Sequence, residues 1–299
     1  MLKCSVSMDL CNDYTNLVRE WMESGGFVSE NEGKDLWYDF FNLQKKIPLN
    51  RKRKVLFSRE FSCPAQVKPA MDELVSRFLD GEDISYYLSK RAHKPSEFDE
   101  LLYDWGIYHF HLGQTIDSSG FISRTGPILF ARLDDNYVYC INIFCHGRGV
   151  APPWNKQEMI EIIHENWPNS IASHKIECDG ILWPDNEPPT DEEHAMYRKN
   201  HLNIPVETAD GTIYHSPGLG YMASGHSIEI QQTCKRIWNT LKMVEMKILT
   251  NLPSYISAVQ AKMGALSLGT NVSFRLVFCN GEFFVIEAKS SSRLIKVNI

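Results

Sequence analysis

Two runs, PILFARL (residues 127–133) and YVYCINIF (137–144), leave this chain little freedom of architecture. Asp134, Asp135 and Asn136 between them suit a tight reversal, so the runs form a β-hairpin. Successive side chains on a strand point to opposite faces, and here both faces are apolar. The hairpin must therefore be central in its sheet and covered on two sides. The available covers are the N-terminal helices and the amphipathic segment 155–166.

Upstream, residues 14–23 and 34–44 carry apolar side chains at helical spacing. A strand-like RKVLFSREFSC follows, then a helix opening near Pro64 whose Met71, Leu74, Val75 and Phe78 form one stripe and which stops at Gly81. A further helix is expected over 96–103. Beyond a Pro- and acid-rich stretch near 185, residues 227–250 read as the longest helix, and VSFRLVF, EFFVIEA and RLIKVN as closing strands. The expected fold is α+β: an N-terminal helical region (1–95), a central antiparallel or mixed sheet with covering helices (96–185), and a C-terminal region (186–299) with a long helix and closing β-hairpin.

Length and charge narrow the function classes. With 299 residues no staple is needed, and eight scattered cysteines without a C-x-x-C pair read as reduced thiols. No apolar run is long enough for a signal peptide or membrane span, so a cytoplasmic protein with no membrane partner is expected. The net charge of −6 offers nucleic acid no global attraction, so any such contact must be local. The basic run Arg51 to Lys54 reads as a solvated strand edge.

Chemistry concentrates between Asp104 and Arg148. On a strand, His109 and His111 project together while Tyr108, Phe110 and Leu112 take the other face. Centring the hairpin on Asp135-Asn136 pairs Arg132 with Tyr139 and sets Thr125 opposite His146, with Arg124 and Arg148 at the same open end. Imidazoles exchange protons near neutral pH and guanidinium groups stabilise an anionic phosphorane, the inventory for cleaving a phosphodiester with no cofactor. His109, His111 and His146 are the acid/base candidates, with Arg124 and Arg148 as phosphate-binding ones.

HFHL followed by ILFARLDDNYVYCINIFCHGR resembles, over about residues 70–148, the sheet core of RelE and ParE-type bacterial toxins. In that family a helical hairpin precedes an antiparallel sheet whose last strands read arginine, apolar run, acidic turn, apolar run, basic or histidine ending. The resemblance implies an endoribonuclease acting on RNA or ribosome-associated RNA, restrained by an antitoxin. It places Arg124 before the penultimate strand, adds Tyr139 as a catalytic candidate in the last strand, and matches His146 and Arg148 to the basic ending. The chain is longer than that family, acidic, and carries the additional H-x-H, departures that leave open a bacterial defence-type protein sharing only the sheet pattern.

Other readings stay open. Three histidines with Asp104 or Glu161 are a ligand set for zinc. Glu287-Ala288-Lys289 resembles the E-x-K half-site of the PD-(D/E)xK nucleases, in which acidic residues hold Mg²⁺, although NVSFRLVF supplies no upstream Asp. GLGYMASGHS lacks the order of a phosphate loop. Tyr214, His215 and His226 nearby offer a binding surface. A non-enzymatic binding or regulatory subunit of a toxin or defence complex is the remaining class.

Overall fold

Asp134 builds the central hairpin as its sequence dictates. Its Oδ1 accepts the backbone N–H groups of Asn136 at 2.7 Å and Tyr137 at 2.8 Å, an Asx turn that starts the ladder with Arg132 opposite Tyr139. These coordinates come from a computed structural model that describes residues 5–147, 152–177, 183, 187–263 and 271–299.

In chain order the elements are β1 (Ser5–Ser7), α1 (Leu10–Ser24), α2 (Gly33–Lys46), β2 (Lys54–Phe57), α3 (Lys68–Asp80), α4 (Glu100–Trp105) and β3 (Ile107–His111). There follow β4 (Pro127–Leu133), β5 (Tyr137–Cys145), α5 (Glu158–Asn166), α6 (Asp191–Lys199), β6 (Val206–Glu207) and β7 (Ile213–Tyr214). The chain closes with α7 (Ile228–Thr250), α8 (Leu252–Met263), β8 (Asn271–Cys279), β9 (Glu282–Glu287) and β10 (Arg293–Val297). The fold is α+β. Its described residues group into two compact units, one combining 1–41 with 230–299 and the other running from 42 to 229. That grouping differs from three consecutive stretches, and the boundary expected near 185 falls within residues 184–186, outside the described ones.

The 42–229 unit is built on a mixed sheet of order β2-β5-β4-β3, in which β2 runs parallel to β5 and the other neighbours are antiparallel. On one face Leu129, Ala131, Val138 and Cys140 pack with Met71, Leu74 and Phe78 of α3. On the other, Ile128, Phe130 and Ile141 pack with Met159, Ile160 and Ile163 of α5. Burying each such side chain stabilises by about 1.5–3 kcal/mol, so both covers hold the sheet firmly. Helix α3 ends where glycine permits it: Gly81 is left-handed at φ +74° and its N–H returns to the Arg77 carbonyl. The helix expected over 96–103 starts later, at Glu100, because Asp99 caps it by accepting the Leu102 N–H at 3.1 Å.

In the unit of 1–41 and 230–299, β1 pairs in parallel with β8 to complete a four-stranded sheet of order β1-β8-β9-β10. Tyr14, Trp21, Trp37 and Phe283 interlock beside it, with Tyr14 and Trp37 edge to face at 4.9 Å. The three closing strands are as expected; the parallel partner from the N-terminus is not among the expectations.

Candidate functional site

Period-two alternation on β3 puts Ile107, His109 and His111 on the α5 side of the sheet, while Phe110 joins the α3 side. His146 arrives from β5 by a different route. The β4–β5 ladder slips between Phe130 and Ala131: Ala131 faces Cys140, whereas Phe130 faces Asn142. The extra residue is a β-bulge, and it reverses which side chains of β5 face which cover. Before it Ile141 packs toward α5; after it Ile143 packs toward α3 and Phe144 toward α5. The His146 N–H consequently bonds the Gly126 carbonyl, one residue from the Thr125 pairing that simple counting predicts.

The result is a cluster. Ring centroids are 6.2 Å apart for His109 and His111 and 6.4 Å for His111 and His146. Trp154, on the 3-10 turn Pro153–Asn155, stands 5.0 Å from His109 and 5.7 Å from His146. These groups line a pocket of about 680 Å³ with Arg124, Phe98, Asp99 and the buried cations Lys46 and Arg198. Its size suits one or two nucleotides or another small polar ligand.

Glycine sets Arg124 in place. A Cβ on Gly113 would overlap the backbone carbonyl of Ser123, so only glycine allows that close approach at the end of β3. Arg124 is exposed at the pocket and pairs with no carboxylate among the described residues. Arg148 lies outside the described residues.

Burial governs the imidazoles. The His111 side chain is 5% exposed, and loss of water holds its pKa down to about 4, with His109, Arg124 and His146 acting the same way. His109 is also lowered, by burial first; Asp99 opposes this, while His146 and Arg124 reinforce it. Both are uncharged near neutral pH. Nδ1 of each is sealed from solvent with no hydrogen-bond partner among the described residues.

Other expected residues lie elsewhere. Tyr139 sits beside the hairpin turn, opposite Arg132 and away from the open end; its hydroxyl donates to Asp134 Oδ2 at 2.8 Å and its pKa is pushed up to about 12, chiefly by burial. Asp104 completes no metal set, because both its oxygens are engaged: Oδ2 pairs with Arg198 at 2.8 Å and Oδ1 accepts Ser216 Oγ at 2.6 Å. Glu161 accepts the Ala209 N–H at 2.9 Å. Among the described residues the one set of three donors within mutual ligation distance is Asp9, Cys11 and Glu245, so His109, His111 and His146 are not a preformed metal cage. Burial first of all raises the Cys11 pKa, which works against the thiolate a metal needs.

Glu287 is fully buried, and its Oε2 accepts the N–H groups of Lys289 at 3.1 Å and Ser290 at 2.7 Å. Those bonds cap its own turn. The pair Glu287 and Lys289 does not line the pocket. Tyr214 is buried with its hydroxyl 2.8 Å from His164 Nδ1, His215 packs against His174 at 5.0 Å, and Ser224 Oγ lies 2.8 Å from His226 Nδ1. Cys11, Cys63, Cys140, Cys145, Cys234 and Cys279 are free thiols, while Cys4 and Cys178 lie outside the described residues.

Sequence reasoning missed Trp154, Asp99, Lys46 and Arg198. Asp99 was findable as a helix N-cap and Trp154 as the aromatic after a rigid Pro-Pro pair. Arg198 had no signal. Its guanidinium lies over Trp105 at 4.3 Å, pairs with Asp104, and donates to the Trp154 carbonyl and to Asn155 Oδ1, so it anchors the turn that carries Trp154.

No protein-family model, curated protein or solved structure matches the chain. No helix among the described residues is long and apolar enough to cross a membrane.

Proposed function

We propose that this protein is a metal-independent endoribonuclease of the toxin or phage-defence kind, acting on RNA in the cytoplasm. The observation that carries the reading is the convergence of His109, His111 and His146 with Arg124, which pairs with no carboxylate among the described residues, in one pocket walled by Trp154. The ribose 2′-hydroxyl is a nucleophile that needs only a base to activate it, and DNA offers none in its place. An imidazole takes the 2′-hydroxyl proton as the new O–P bond forms. The bond to the 5′-oxygen breaks, and that oxygen leaves with the proton the imidazole has just taken. Arg124 and the imidazole N–H groups stabilise the doubly charged phosphorane between these events. Trp154 offers a face for an unstacked base.

The test is cleavage of end-labelled RNA by the purified chain, with and without EDTA. The expected result is cleavage that EDTA does not affect, that yields 2′,3′-cyclic phosphate ends, and that His146→Ala lowers by about 10²–10⁴-fold. RNA bound but left intact would instead favour a binding or regulatory subunit. RNA neither bound nor cut, alone or on translating ribosomes, would overturn the proposal.

A further inference from the structure

The two sealed Nδ1 atoms decide which proton each imidazole keeps. A neutral imidazole carries its hydrogen on one nitrogen only, and the other keeps a lone pair. Hydrogen on Nδ1 of His109 or His111 would leave a donor orphaned in the core, with no acceptor among the described residues. Orphaned buried N–H groups are rarer and costlier than under-used acceptors. Hydrogen on Nε2 avoids that loss, because Nε2 is the nitrogen left to meet the pocket. His146 has no nitrogen sealed in this way.

We infer that His109 and His111 hold a tetrahedral oxyanion as paired hydrogen-bond donors, each with its proton on Nε2, and leave proton transfer to His146. In this tautomer neither ring offers the pocket a lone pair, so neither accepts a substrate proton there. The rings are adjacent, edge to face with centroids 6.2 Å apart, so one phosphate at the pocket can accept from both, each through a hydrogen bond of about 2.9 Å. Arg124 supplies the formal charge from the rim. The groups facing the pair are Asp99 from the α4 cap, which favours a charged His109, and His146 and Arg124, which oppose it; burial outweighs Asp99. Fixed, uncharged donors stabilise developing charge with little reorganisation. The inference rests on the nuclease reading only for the identity of the anion, a phosphodiester passing through a phosphorane.

The experiment uses the full chain labelled with ¹⁵N-histidine, and inorganic phosphate as the probe. Imidazole spectra at about pH 7, assigned by the loss of signals in His109→Gln and His111→Gln, report the tautomers directly. Both rings are expected as neutral Nε2–H forms. Glutamine places an amide N–H near Nε2 and cannot exchange protons, so it separates donation from acid/base work. Phosphate binding, followed calorimetrically, is expected to stay within about threefold in the glutamine variants and to weaken about tenfold or more in His109→Ala and His111→Ala. An Nδ1–H or imidazolium signal for either ring, glutamine variants as weak as the alanine ones, or no phosphate binding by the unmodified chain would each overturn the inference. Phosphate held as expected beside intact RNA supports the clamp and overturns the nuclease reading alone.

Discussion

His111 ends β3 and His146 directly follows β5, strands that are not neighbours, yet their rings lie 6.4 Å apart across β4. One surplus residue in β5 causes this. Without the slip between Phe130 and Ala131, His146 would face the α3 side, and the pocket would hold two imidazoles and no third.

His146 is the imidazole assigned to proton transfer, so removing its basicity removes the chemistry. His146→Gln and His146→Ala are both expected to lower RNA cleavage by about 10²–10⁴-fold. His109→Gln and His111→Gln retain most of it. Single-turnover cleavage with saturating enzyme measures the difference, and equal losses in all four variants would contradict the division of roles.

Gly113→Ala tests how Arg124 is held. The added methyl overlaps the Ser123 carbonyl, so the loop must move or the strand end must open. A destabilisation of about 1–3 kcal/mol is expected in urea, together with weaker phosphate binding. Unchanged stability would mean that the Gly113–Ser123 approach is relaxed in solution.

The Asp104–Arg198 pair is nearly dry, with side chains 3% and 4% exposed. Asp104→Asn leaves the Arg198 guanidinium charged and uncompensated, and is expected to destabilise the fold by about 3–5 kcal/mol. Because Arg198 also holds the Trp154 turn, cleavage falls as well, chiefly through weaker substrate binding. Urea melts with a kcat against KM comparison check both parts.

Stability should fall as the solution is acidified through the histidine range. His111 has an ordinary pKa of 6.5 when unfolded and about 4 when folded, so between those values the unfolded chain binds the extra proton. The contribution of His111 is complete above 6.5 and is lost progressively as pH falls toward 4, with a slope of up to about 1.4 kcal/mol per pH unit. His174, also held down to about 4 by burial first, acts in the same direction. Urea denaturation across that window in His111→Gln is expected to show a shallower slope than the unmodified chain.

Glu287→Gln addresses the alternative nuclease pattern. The amide still accepts the Lys289 and Ser290 N–H groups through its oxygen, so the turn survives. RNA cleavage and its indifference to EDTA are expected to stay within about twofold, the scatter of a change away from the pocket. A collapse of activity would return the E-x-K segment to the reaction.

Local order in this chain was written locally. Alternation alone put His109 and His111 on one face, the Asp134 turn set Arg132 against Tyr139, and the stripe from Met71 to Phe78 ending at Gly81 gave α3 its buried side and its stop. Each depends on residues within a few positions of one another, where period, turn chemistry and glycine φ act directly. The tertiary structure decided the remainder. Placement of the bulge depends on how Ile141 and Ile143 divide between two covers built from distant helices. Asp104, legible as a spare carboxylate, is consumed by an arginine 94 residues away. β1 finds β8 only when both ends of the chain are folded. Trp154, Lys46 and Arg198 join the pocket by long-range packing, which no spacing in the sequence records. The H-x-H marked the place, and burial, by withdrawing water from Nδ1, set what its two histidines can do there.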